Sequence, residues 1–231
     1  MGIMEKAIIF NKDSRLLGEV MDRSVDFVIT SPPFNICHKY MTYHDSLNYR
    51  DFDDMYTSVI GSISRVLKDD GFFVIDIADM IVMENKIVYG AEFIKEKAQA
   101  AGMDFLKAVP YIAIEGSDTV MKSCVSRTAK NKRFHSTCEQ VLVFGKRLTR
   151  RDLADAFSIK PLYRYSTLRD SAFWPDELVK DILGPFSLKG KLLLDPFMGS
   201  GTIGRMAIER GGSFIGYDVD ELSLRTYGWI K

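Results

Sequence analysis

The sequence is short of the residues that staple a fold or hold a metal. It has three cysteines (Cys37, Cys124 and Cys138) and three histidines among 231 residues. An odd number of cysteines with no shared ligand spacing excludes a disulfide framework and a zinc ribbon, and points to a reducing setting, the cytoplasm. His38 and His44 stand in a polar stretch without further ligands at a usual interval, so no metal site is expected. Also missing is any uncharged apolar run of about 18 residues, which excludes an ordinary membrane-spanning helix. The opening residues, MGIMEKAIIF, carry Glu5 and Lys6 and run straight into a strand pattern, so no secretory leader is expected there. No Gly-, Ser- or Pro-rich linker and no internal repeat divides the chain, so residues 1–231 are expected to form one domain. The formal net charge is zero, without the basic surplus that commonly marks a nucleic-acid-binding protein.

That last absence dissolves when charge is followed along the chain. Residues 115–169 hold 12 Lys and Arg against 5 Asp and Glu, seven net positive, and the remainder is seven net negative. Charge so segregated is the footprint of a polyanion-binding segment on an acidic body. With 46% hydrophobic and 27% charged residues, the body has the make-up of a globular chain long enough to bury its own core.

Two stretches carry chemistry. Residues 25–36 read VDFVITSPPFNI, a β-branched, apolar strand that stops abruptly at Ser31, Pro32 and Pro33. The prolines remove two backbone donors, so the carbonyls of Ser31 and Pro32 are left to point outward as acceptors beside the Ser31 hydroxyl and the Phe34 ring. Such a set suits a planar ring bearing an exocyclic amine. Residues 192–220 read LLLDPFMGSGTIGRMAIERGGSFIGYDVD: strand, Asp195, a glycine turn, a helix from Thr202, and a second strand ending at Asp218. This is a βαβ unit with a cofactor-sized gap at its glycines and an acid placed for ribose hydroxyls. Gly199, Gly201 and Gly204 also match the spacing of a nicotinamide-binding loop, and spacing alone leaves both readings open.

The sequence around those glycines is more specific. Ser31-Pro32-Pro33-Phe34 behind an apolar strand resembles the catalytic motif of the amino-methyltransferases that modify N4 of cytosine or N6 of adenine in DNA. Asp195-Pro196-Phe197-Met198-Gly199-Ser200-Gly201-Thr202 is similar throughout to the S-adenosylmethionine loop of the same enzymes. With the catalytic motif first and the cofactor loop last, the chain resembles their permuted β class. The resemblance implies an α/β, Rossmann-like S-adenosylmethionine-dependent methyltransferase fold, with a mixed, mostly parallel sheet, helices on both faces and circularly permuted motif order. It implies catalysis by Ser31 to Phe34, with Phe34 stacking on the base. Cofactor binding falls to Asp13, at the end of a first strand, to Asp195, Pro196, Phe197, Gly199, Ser200, Gly201 and Thr202, and to Asp218, with S-adenosylhomocysteine as product. Double-stranded DNA is the implied partner, within a restriction-modification system, and a homodimer or a partner subunit are both open. Serine at position 31 points to cytosine N4, since the adenine-N6 enzymes more often carry Asp or Asn there. An adenine-N6 enzyme and a catalytically silent DNA-binding or cofactor-sensing module remain the alternatives.

Between the two motifs, residues 15–21 read as a short helix, 35–53 as a long polar and aromatic connection, and 72–77 as a buried strand bearing Asp76 with Asp79 just beyond. Residues 86–101 read as a helix, and 105–114 as a strand near a sheet edge because of Pro110. The basic segment is expected to be a loop at 116–136 followed by an arginine- and tyrosine-rich stretch, together a recognition insert at about 115–172. Lys122, Arg127, Lys130, Lys132, Arg133, Arg150, Arg151 and Arg164 are its candidate DNA contacts. The resemblance implies that Phe173 and Trp174 border the cofactor.

Overall fold

The computed structural model describes residues 6–35, 39–83, 86–115, 125–128, 133–136, 138–146, 160–165, 174 and 176–231, with the backbone alone at 113–115, 125–128, 133–136 and 162–165. The chain opens with β1 (Ala7–Phe10) and β2 (Val25–Thr30), then α1 (Tyr49–Val66) and the long β3 (Leu67–Ala78). A ribbon of β4 (Met80–Met83) and β5 (Lys86–Tyr89) leads to α2 (Gly90–Ala100), β6 (Asp104–Glu115), β7 (Val125–Thr128), β8 (Arg133–Ser136), β9 (Cys138–Gly145) and β10 (Leu162–Tyr165). The last part is α3 (Asp176–Leu183), β11 (Leu192–Asp195), α4 (Thr202–Glu209), β12 (Ser213–Tyr217) and α5 (Glu221–Thr226).

Eight strands form one sheet in the order β1-β12-β11-β2-β3-β9-β6-β10. Every pairing is parallel except the two made by β9. All six residues of β2 are buried, as a central strand covered on both faces requires. Val28 packs into the layer with α1 and α2, while Phe27 and Ile29 pack into the opposite layer with α3 and α4. β11 lies beside β2 in parallel, Leu193 opposite Phe27 and Leu194 opposite Val28. The carboxyl ends of the two motif-bearing strands are therefore neighbours, where open α/β sheets place their ligands.

A second, four-stranded antiparallel sheet, β5-β4-β8-β7, hangs from the first. Its β4-β5 ribbon departs after Asp79 and returns at Gly90, and the Gly90 amide donates to the Asp79 carbonyl at 2.9 Å to close the base. A Cβ at Gly90 would stand 2.1 Å from the Ala78 carbonyl oxygen, so only glycine fits.

The structure departs from the sequence reading in four places. Residues 15–21 form turns instead of a helix. Leu17 takes a left-handed φ of 45°, and the Arg65 guanidinium donates to the carbonyls of Leu16, Leu17 and Val20 and to the Asp22 carboxylate, which diverts those carbonyls from helical bonding. The helix α1 starts at Tyr49, within the expected connection, where the Asn48 side chain accepts from the Asp51 amide at 3.0 Å. Residues 86–89, read as helix, are the strand β5, whose alternation is set by pairing with β4. Within the expected basic loop, β7 and β8 pair as strands, with Thr128 opposite Arg133. The Pro110 inference holds: β10 covers only Ile112–Glu115 of β6, so Pro110 lies where that side of β6 has no paired neighbour among the described residues.

Candidate active site

Where β2 and β11 end side by side, the Thr30 hydroxyl donates to Asp195 Oδ1 at 2.7 Å, so one hydrogen bond ties the last residue before the serine motif to the first of the glycine loop. Two adjoining cavities open there, of about 550 and 260 Å³, and share Ser31, Tyr40, Phe197, Gly199 and Ser223 as walls. The larger is lined also by Asp13, Pro33, Pro196, Asp218 and Asp220. The smaller is lined by Asp195, Ser200, Thr202 and Trp174.

The glycine loop is shaped from behind. Gly201 has a φ of 74°, and a Cβ there would fall 2.3 Å from the Trp229 indole, whose Nε1 donates to the Ser200 carbonyl at 2.9 Å. Gly201 thus lies under Trp229 and off the cavity walls, while Gly204 lets α4 sit against the Phe214 ring of β12. Gly199, with φ 47°, faces the other way: a Cβ there would meet no protein atom within 4 Å and would project into the open cavity. A loop that keeps its cavity side bare and fixes its rear with tryptophan fits a ligand pressed against the backbone.

Acids ring this loop. Asp218 accepts from the Gly199 amide and the Asp220 amide, both at 2.8 Å, and burial raises its pKa above the ordinary value even so. Asp195 is pushed up to about 7 by burial, opposed by the Thr30 hydroxyl and the Phe197 amide. Asp13 stands on the cavity wall, but its carboxylate is held by Arg15, through the amide at 2.8 Å and the guanidinium at 2.6 and 2.8 Å. Burial works against the charge of Asp220, yet the amides of Thr42, Tyr43 and Ser223 and the Thr42 hydroxyl hold its pKa below the usual range. Through those bonds residues 39–47 are strapped across the mouth of the larger cavity.

The serine motif is anchored at both ends. Ser31 donates from Oγ to Asp76 Oδ2 at 3.3 Å, which leaves its own lone pairs toward the cavity. The Pro33 carbonyl accepts from Tyr56 at 3.2 Å, whereas no described residue donates to the Pro32 carbonyl. Phe34 does not line either cavity; it is half-buried against the core layer that contains α1. Aromatic walls come instead from Tyr40, Tyr43, Trp174, Phe197 and Tyr227, and the Phe34 ring is turned inward where the chain bends sharply into Asn35, φ 60°. Asn35 then bonds both backbone groups of Leu47, each at 2.7 Å.

Ser31 and Pro33, with Asp13, Asp195, Pro196, Phe197, Gly199, Ser200, Thr202 and Asp218, are thus gathered on one double cavity, while Pro32, Phe34 and Gly201 stand behind it. Of the basic candidates, Lys122, Lys130, Lys132, Arg150 and Arg151 lie outside the described residues, as does Phe173. Arg127, Arg133 and Arg164 are placed by their backbone on β7, β8 and β10. Sequence reasoning passed over Asn35, Tyr111, Glu139, Asp220 and Trp229. The signal for Asp220 was present, an acid two residues after Asp218 at a helix start; the others are identified only by partners distant in the chain. Among the described residues no cluster of His, Cys, Asp and Glu could hold a metal, and no helix is long and apolar enough to cross a membrane.

A mostly parallel sheet with a glycine-lined cradle beside a proline-locked acceptor edge defines a class, the nucleotide-cofactor α/β enzymes. The narrower assignment comes from comparison: the profile of the DNA methylase family of N6 and N4 methyltransferases matches residues 25–168 and 166–227, and the chain belongs to that family. A relative from Haemophilus parainfluenzae, type II methyltransferase M.HpaI, is 23% identical over 243 residues, covering 94% of this chain and 71% of its own. The DNA adenine methyltransferase YhdJ of Escherichia coli K12 is 24% identical over 247 residues, covering 93% and 79%. Among solved structures, the cytosine-N4-specific PvuII DNA methyltransferase superposes with a TM-score of 0.65 at 18% identity over 97% of this chain and 86% of its own. A Thermus thermophilus protein in complex with S-adenosyl-L-methionine gives 0.60 at 21% identity over 97% of each chain. These two likenesses speak for the fold.

Proposed function

We propose that this DNA methyltransferase transfers the methyl group of S-adenosylmethionine to N4 of a cytosine flipped out of double-stranded DNA. The observation that carries the reading is the shared cavity, in which Ser31 and Gly199 are walls of the same space. The residues present suit the cofactor. The bare face of Gly199 admits it, Asp218 accepts its ribose hydroxyls, Pro196 and Asp13 border its adenine once Arg15 yields, and Asp195, Ser200 and Thr202 take the methionine end. Bound there, it supplies a methyl group on a positively charged sulfur, a leaving group that needs no metal.

The protein's part is orientation and polarity. The lone pair of an exocyclic amine is delocalised into its ring, and the amine becomes nucleophilic only as it approaches tetrahedral geometry. Ser31 Oγ, on the wall of both cavities, accepts one of its hydrogens in that geometry, and this bond strengthens as positive charge grows on nitrogen; the Pro32 carbonyl, expected from the sequence to take the other, lies behind the wall. Tyr40 and Trp174 flank the ring, and holding the amine in line with the methyl supplies much of the rate. The flipped base costs a few kcal/mol of unstacking, offset by this stacking and hydrogen bonding. One catalytic domain with a recognition insert at about 115–172, acting in a restriction-modification system as a homodimer or with a partner subunit, completes the proposal.

Serine at position 31 supports cytosine N4; the likeness to an adenine methyltransferase over nearly the whole chain keeps adenine N6 as the second reading. Incubating the protein with labelled cofactor and duplex DNA, followed by mass spectrometry of the nucleosides, is expected to give N4-methylcytosine. N6-methyladenine alone would reject that choice, and no methylated base at all would leave the silent module. Ser31→Ala is expected to lower turnover about 100-fold or more with cofactor affinity nearly unchanged, and Asp218→Ala to weaken cofactor binding about tenfold or more. Calorimetric titration alongside the turnover assay separates the two.

A further inference from the structure

Behind Ser31, on the side away from the cavity, lies a buried acidic cluster that the methyl-transfer geometry does not use. Asp76 is 1% exposed. Its Oδ2 accepts from Ser31 Oγ at 3.3 Å, from Trp174 Nε1 at 2.6 Å and from the Tyr111 hydroxyl at 3.0 Å, while its buried Oδ1 has no hydrogen-bond partner among the described residues. The same Tyr111 hydroxyl makes a short contact with Glu139 Oε2. Tyr111 and Glu139 face each other across β6 and β9, and Glu139 is half-buried where Asp76 is enclosed.

Counting protons orders this cluster. A phenol carries one hydrogen, yet two carboxyl oxygens lie within its reach. Were both carboxylates ionised, one contact would set a lone pair against an anionic oxygen. One carboxyl therefore holds a proton and donates to the Tyr111 oxygen. Asp76 Oδ2 already receives the hydrogens of Ser31 and Trp174, so the resting proton sits on Glu139.

Resting on the methyl-transfer reading above, we infer that Asp76, Tyr111 and Glu139 form the route by which the proton lost from the target amine leaves the closed site. As the carbon–nitrogen bond forms and the carbon–sulfur bond breaks, sulfur keeps the electron pair and the amine becomes cationic. It gives one proton to Ser31 Oγ, and the Ser31 hydroxyl proton passes to Asp76 Oδ2. Glu139, at the outer end, releases its proton to water. The Asp76 proton then moves to the Tyr111 oxygen as the Tyr111 hydrogen moves to Glu139, which restores the starting arrangement. One proton enters and one leaves, and no other reactant is required. Burial lifts both carboxyls above the ordinary carboxylate range, and at Asp76 the charge of Glu139 adds to that rise. The other groups acting on Asp76 are the donors Trp174 and Tyr111, together with Tyr56 of α1, whose own hydroxyl bonds Pro33. In this relay Tyr111 and Glu139 act through Asp76 and Ser31 and touch no reacting atom.

The test needs no turnover to begin. Of the two tryptophans in the chain, Trp174 donates to Asp76, so in a Trp229→Phe background its emission reports the charge of the pair. Its pH titration is expected to show a midpoint clearly above the ordinary carboxylate range, falling in Glu139→Gln as the repelling charge is lost. Single-turnover methyl transfer is expected to fall about tenfold in Tyr111→Phe, with unchanged cofactor affinity and a larger solvent deuterium isotope effect. In Glu139→Gln the acid limb of its pH profile moves to lower pH. A midpoint near that of a free carboxylate, or a Tyr111→Phe rate and isotope effect equal to those of the unaltered protein, overturns the relay. Absence of methyl transfer by the unaltered protein, with the high midpoint retained, instead sinks the methyltransferase reading on which the relay rests.

Discussion

An acid closed off from water keeps its proton until the solution is nearly neutral, and Asp195, at about 7, is such an acid. A cation placed beside it favours the carboxylate and lowers that pKa. Cofactor binding should therefore expel a proton below about pH 7, and affinity should rise with pH and level off above that value. At pH 7 about half a proton per molecule is expected, measurable by calorimetry in buffers of different ionisation enthalpy, and Asp195→Asn should abolish the release. Asp195, Ser31 and Asp218 could be singled out in the sequence because each ends an apolar strand at a turn, a pattern that the neighbouring residues alone display. Asn35 and Tyr111 could not, since their roles come from Leu47 and from Glu139 on other elements. Phe34 shows the reverse error: its type was readable, but its direction depends on the left-handed turn at Asn35.

Elements were legible where the local pattern and the sheet agreed. β2, β11, β12 and α4 fall where the hydrophobic pattern places them, because a buried parallel strand and an amphipathic helix each impose a periodicity of their own. Residues 15–21 and 86–89 do not, because Arg65 in one case and β4 in the other supply partners that the local sequence does not show. At the junction of β5 and α2, Gly90→Ala forces a methyl against the Ala78 carbonyl. The cost of about 2 kcal/mol should lower the melting temperature by about 4–8 °C, as scanning calorimetry would register. The strap over the larger cavity hangs on Asp220. Thr42→Val, which removes one hydroxyl donor and spares the cap of α5, should raise the cofactor dissociation constant about fivefold to tenfold while the rate at saturating cofactor changes little. Stopped-flow release of the bound cofactor would detect it.

For the molecule as a whole, charge is segregated along the chain, seven net positive over residues 115–169 and seven net negative over the rest, and the proposed recognition insert rests on that. Replacing Lys130, Lys132 and Arg133 together by glutamine should flatten the slope of log affinity against log salt by about 2 to 3, read by fluorescence anisotropy with duplex DNA. Melting temperature should stay within a few degrees of the unaltered protein. The β7-β8 pairing was hidden in the sequence, because it is completed by β4, a strand that lies far earlier in the chain, before α2 and β6.

Asn35 gives the site a fixed hinge post. By gripping Leu47 through both its backbone groups it knots the strap at 39–47 to the end of the serine motif. The serine motif is thus moored to the far end of the strap by side-chain bonds and not by the run of backbone alone.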